Sequence, residues 1–172
     1  TEPGTCVILG NARRRSGDRA GAAAAYRRAL SLRPDHGAAH YNLHACVFDD
    51  ADPSAALHHL DRAAGAQWAS ALAWALRRRC GGDAAPPTDA PGFLLDSLTF
   101  ALSHPDAVWF ADTFATLAHA LSLLAREGDV VELGVRFGTS LRHLASRLDG
   151  SSRRLHGFDS FEGLPEAWGG QA

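Results

Sequence analysis

A chain of 172 residues, 46% apolar and 21% charged, is long enough to bury a core and too apolar to be disordered. Its formal net charge is −2 and every basic residue is an arginine, which leaves no basic field for a nucleic acid. Cys6, Cys46 and Cys80 stand too far apart for a disulfide framework or a thiolate zinc site. No run approaches membrane-spanning length and the opening residues do not read as a secretory signal, so a cytoplasmic protein is expected. The absence of methionine leads to the expectation that the chain is a segment of a longer one.

The first eighty residues repeat themselves. Leu9 aligns with Leu43, Gly10 with His44, Ala22 with Ala56, Tyr26 with Leu60 and Ala29 with Ala63, all at one offset of about 34 residues. The same offset carries His40 onto Trp74 and starts a third, partial copy, in which Arg77 replaces the leucine. Each copy reads as two amphipathic helices, with alanines at close helix approaches and Tyr26 or Leu60 filling the gap. "SGDRAGA" and "DDADPSA" supply turns, and Pro34 ends the second helix. The segment "LGNARRRSGDRAGAAAAYRRALSLRP", with "AAHYNLHA" after it, resembles the tetratricopeptide repeat family. That resemblance implies a concave face lined by Val7, Asn11, Arg14, Tyr41, Ala45 and Phe48, for a protein partner or self-association.

His36, His40 and His44 share one helix face at four-residue steps, the spacing of paired metal ligands. No carboxylate or cysteine on that face completes a set, so structural histidines are expected and no metal site. His58 and His59 read as surface residues.

A Gly-, Pro- and Ala-rich stretch divides the chain into a repeat domain (1–80), a linker (81–91) and a second domain (92–172). Beyond the linker, "FLLDSLTFALSH" and "DAVWFADTFATLAHALSLLAREG" show helical periodicity. The second helix is expected to start at an Asp106 cap and close at Gly128. Phe100, Trp109, Phe110 and Phe114 read as core or lid.

"DVVELGV" then reads as a buried parallel strand, "TSLRHLASRL" as an amphipathic helix capped by Thr139 or Ser140, and "RRLHGFD" as a second strand ending in Asp159. This is a β-α-β unit, which binds ligands at the carboxyl ends of its strands, where Gly134 and Asp159 lie. The pattern E-L-G-x-x-x-G lacks the G-x-G-x-x-G of a dinucleotide site, which disfavours a nicotinamide-dependent dehydrogenase. Glu132 suits a cationic ligand better than a diphosphate.

"ELGVRFGTSLRHLA" followed by "GFDSFEGLPEAW" resembles the class I S-adenosylmethionine-dependent methyltransferases, specifically the macrocin O-methyltransferase-like group. The resulting fold class is α + α/β: tetratricopeptide hairpins followed by the first β-α-β portion of a Rossmann-like methyltransferase domain. The resemblance implies that Glu132, Gly134 and Gly138 surround the methionyl part of S-adenosylmethionine, with Thr139 and Ser140 near its carboxylate. It also implies that Asp159 holds the ribose, with Ser160 and Phe161 nearby. The catalytic base and any divalent-metal ligands of that group belong to later strands, so the resemblance assigns no catalytic or metal residue here. The whole protein is expected to methylate a hydroxyl of a small molecule or sugar, the segment alone to be inactive. The alternative is a tetratricopeptide adaptor carrying a non-catalytic methyltransferase-like remnant.

Overall fold

A computed structural model describes residues 2–124, 128–135 and 137–160. It is mostly helical, with eight helices and one two-stranded parallel sheet among those residues. The chain forms two compact units, residues 1–112 and 113–172.

The first unit contains α1 (Pro3–Arg15), α2 (Arg19–Leu32), α3 (Gly37–Val47), α4 (Ser54–Leu60), α5 (Ala69–Arg79) and α6 (Gly92–Leu102). Asp18 caps α2 by accepting from the Gly21 amide at 2.8 Å. Arg33, extended as the residue before a proline prefers to be, ends it. Arg19 donates to the carbonyls of Cys46 and Phe48, each at 2.8 Å, covering groups that the end of α3 leaves unpaired.

Most repeat positions share a burial class across the offset. Ala22, Ala56, Tyr26 and Ala29 are fully buried, and Leu60 and Ala63 nearly so. Leu9 departs, lying half exposed while Leu43 is buried. α3 packs against both α2 and α4, whereas the main neighbour of α1 is α2. α4 is also half the length of α2, stopping at Leu60, so Ala63 is buried from the turn that follows.

Both the 81–91 stretch and α6 lie within the first compact unit, which runs to Asp112. The stretch is fastened back: the Trp74 indole donates to the Ala84 carbonyl at 2.9 Å. The helix expected from Asp106 begins only at Thr113, as α7 (Thr113–Ser122). Residues 107–110 are drawn out of helical geometry by distant partners. Arg79 donates to the Ala107 carbonyl at 2.8 Å and stacks over Trp109, while the Trp109 amide donates to Asp50. Phe100 is mostly exposed and so is not core within its unit.

The residues expected on a concave face lie in different settings. Val7 is buried, and Asn11 accepts from the Tyr26 hydroxyl at 2.8 Å. Arg14, Tyr41, Ala45 and Phe48 line a cavity whose other walls come from α5, α6 and residues 107–111.

Each histidine of the i, i+4, i+8 row has its own structural bond. His36 caps α3 by accepting from the Ala39 amide, and His44 donates from Nδ1 to the Tyr41 carbonyl. His40 is 4% exposed and donates from Nε2 to the Pro34 carbonyl at 2.8 Å. A carbonyl only accepts, so His40 Nδ1 carries the lone pair, and His59 Nδ1 donates to it at 2.9 Å. His59 is thus half buried, and only His58 is a surface residue as expected. Among the described residues no group of three His, Cys, Asp or Glu could hold a metal ion. No described helix is long and apolar enough to cross a membrane.

The His40–His59 pair gives a pH prediction. Burial, then the neighbouring His40 and His58, bring the His59 pKa down to about 4 from 6.5. The unfolded chain therefore binds the extra proton first, so stability is intact above pH 6.5 and falls between pH 6.5 and about 4. His59 retains solvent contact, so screening reduces the loss to about 1 kcal/mol. His44, whose pKa burial also lowers, adds a loss of the same sign, so urea titrations at pH 7 and pH 5 should show a loss smaller by about 1 kcal/mol in His59→Asn than in the wild type.

Candidate functional site

The second unit contains α7, β1 (Val130–Leu133), α8 (Thr139–Leu148) and β2 (Leu155–Phe158). β1 and β2 pair in parallel with Val130 opposite Leu155 and Leu133 opposite Phe158. The Gly134 amide extends the ladder by donating to the Phe158 carbonyl at 2.8 Å. That register brings Gly134 and Asp159 side by side at the carboxyl ends of both strands.

Gly157 explains how closely α8 approaches the sheet. A Cβ there would stand 2.8 Å from Val135 Cγ2 and 3.0 Å from Leu141 Cδ2. Gly157 pairs with Glu132, so α8 covers the sheet face carrying both. Leu144 and Val135 are the buried residues of this layer. The opposite face is open among the described residues: Val131, Leu133 and Phe158 are each more than half exposed. The expectation of a buried strand therefore holds for one face only, because two strands and one helix cover one side of a sheet.

Glu132 is the polar residue under α8. Ser140 Oγ donates to its Oε1, while Oε2 is buried and has no hydrogen-bond partner among the described residues. An ionised carboxylate accepts several hydrogen bonds, so this oxygen has unfilled capacity. His143 Nε2 is likewise buried without a partner, its ring 4.7 Å from that of Phe114 on α7.

At the turn, Gly134 and Gly138 both take positive φ, +83° and +68°, a region that side chains other than glycine's rarely adopt. A Cβ on Gly134 would meet nothing within 4 Å among the described residues. Gly138 itself is the N-cap of α8 and no side chain caps the helix. This corrects the expected cap: Thr139 and Ser140 occupy the first two helical positions, and Ser140 reaches for Glu132 instead. Their amides are among those a helix leaves unpaired, at the positive end of its dipole.

Asp159 follows β2 and is half buried, and Ser160 is exposed. Phe161, and with it the rest of "FEGLPEAW", lies outside the described residues. At the amino ends of the strands Asp129 binds Arg154 and His156, both at 3.1 Å, and these partners hold its carboxyl below the usual range. That end is a structural clasp.

The structure thus gathers Glu132, Gly134, Gly138, Thr139, Ser140 and Asp159 around the strand ends and the start of α8. Sequence reasoning missed Gly157 and His143. A glycine inside a strand was the available signal for the first; His143 had none, since its burial depends on α7. Compared with protein-family models, curated proteins and solved structures, the chain gives no match to any of them.

Proposed function

We propose that the second unit is the cofactor-binding start of a class I S-adenosylmethionine-dependent methyltransferase similar to the macrocin O-methyltransferase-like group. The first unit is then a set of tetratricopeptide-type hairpins for a protein partner or a second copy. The observation that carries the reading is Glu132, a carboxylate on a parallel strand with one buried oxygen unpartnered among the described residues. An unfilled anionic acceptor attracts a cation and repels a diphosphate.

The other residues fit such a cofactor. Open Gly134 lets a ligand approach the backbone, the uncapped start of α8 suits a carboxylate, and Asp159 offers acceptors for ribose hydroxyls. When bound, S-adenosylmethionine supplies an electrophilic methyl group on a sulfonium. Glu132 would hold the cationic part, Thr139 and Ser140 the carboxylate through their amides, and Asp159 and Ser160 the ribose side. The substrate would be a hydroxyl of a small molecule or sugar, with any divalent metal held by residues outside those described.

Calorimetric titration with S-adenosylhomocysteine tests the reading. The wild-type chain should bind, and Asp159→Ala and Glu132→Gln should each weaken binding about 10- to 100-fold, the worth of a hydrogen bond to a charged group. One observation favours an adaptor with a non-catalytic remnant instead: Ser140 already uses one Glu132 oxygen internally. That reading requires a folded wild type that does not bind at all.

A further inference from the structure

The first unit contains a cavity of about 690 Å³, within the roughly 300–1,000 Å³ typical of small-molecule sites. Its walls are mainly apolar and aromatic: Phe48 from the turn after α3, Trp68 and Leu72 at and within the start of α5, and Trp109 from the segment pinned by Arg79 and Asp50. Two large apolar residues of the lining, Trp68 and Val108, are 43% and 52% exposed. Apolar surface left open at a concavity marks a place that a ligand covers.

The polar groups are few. Arg14 is the one lining residue with a permanent charge, and it enters no ion pair among the described residues. Its charge is felt at both Tyr41 and His44, which also line the cavity. Burial favours the neutral form of both. No carboxylate is among the described residues that line the cavity.

We propose that this cavity binds an amphipathic monocarboxylate, with its acid group on Arg14 beside Tyr41 and its apolar body among Trp68, Leu72 and Trp109. A guanidinium favours a carboxylate because it offers paired donors in one plane. A cationic ligand gains the aromatic faces of the wall but is repelled by Arg14, its one permanent charge. A neutral one gains the apolar burial and lacks the charge.

The experiment uses three probes of one shape on the full chain: 2-naphthylacetate, 2-(2-naphthyl)ethanol and 2-(2-naphthyl)ethylammonium, followed by titration calorimetry. The acid should bind at least tenfold more tightly than the alcohol, and the ammonium should not bind detectably. Arg14→Gln, at an exposed position, should bring the acid down to the level of the alcohol and leave the alcohol unchanged. Leu72→Trp, which fills the cavity, should weaken acid and alcohol alike, with thermal melting used to show that both variants fold. Equal binding of acid and ammonium, no binding of the acid, or an Arg14→Gln loss shared by acid and alcohol would overturn the proposal. So would binding of a hydrophobic peptide with a free carboxyl end by a chain that ignores naphthylacetate, which would assign the cavity to a protein tail.

Discussion

Gly10→Ala should lower the unfolding free energy by about 2 kcal/mol, against the gain of about 1 kcal/mol that this change brings to an unobstructed helix. The added Cβ would lie 2.3 Å from Cε1 of Tyr26. That ring cannot simply turn away. It is 0% exposed, packed among Ala22, Ala29 and Leu43, and its hydroxyl is tied to Asn11. Either the helices part or the hydrogen bond breaks, and overpacking of this kind typically costs about 1–3 kcal/mol before the lost bond is counted.

The second copy suggests the suppressor. At the same offset it has the bulkier His44 in place of Gly10 and the smaller Leu60 in place of Tyr26. The exchange of volume predicts that Gly10→Ala costs less in a Tyr26→Leu background. Urea denaturation of the two single variants and the double variant should give a coupling of at least about 1 kcal/mol. Strict additivity would mean that the Tyr26 ring is not the obstacle.

Asp50→Ala should be the other costly change, at about 2–3 kcal/mol. Asp50 accepts from Arg79 through both oxygens at 2.8 Å, and their side chains are only 26% and 20% exposed. Removing one member of a fully buried pair costs about 3–5 kcal/mol because the other charge stays behind; partial exposure reduces that figure here. The surface pairs Arg77–Asp61 and Arg78–Asp83 have one or both partners near half exposed or beyond, and their loss should cost about 0.5 kcal/mol or less. The Asp50 variant should also release residues 107–110, since the Trp109 amide loses its acceptor and Arg79 its anchor. Faster hydrogen exchange at the Trp109 amide would show this. A stability loss without faster exchange would place the cost elsewhere.

The sequence by itself determined the features that one element's periodicity or one turn's chemistry can report. The 34-residue offset picked out Ala22, Tyr26, Ala29, Ala56, Leu60 and Ala63, which are buried because a helix presents a single face to its neighbours. The glycines at 134 and 138 marked the strand-to-helix turn, and the two apolar runs marked parallel strands with Gly134 and Asp159 at one end. Only the tertiary structure decided what depends on a distant partner. Residues 107–110 have helical periodicity, yet Asp50, 59 positions before Trp109, and Arg79 hold them out of a helix. Packing against α5 keeps α6 with the first unit, and residues 107–111 help to wall a cavity beside Arg14, Tyr41, Ala45 and Phe48. Gly138 takes the cap position while Ser140 donates to Glu132 on the strand beneath α8. Local pattern tells a residue which face it shares; it does not name the group that will stand opposite.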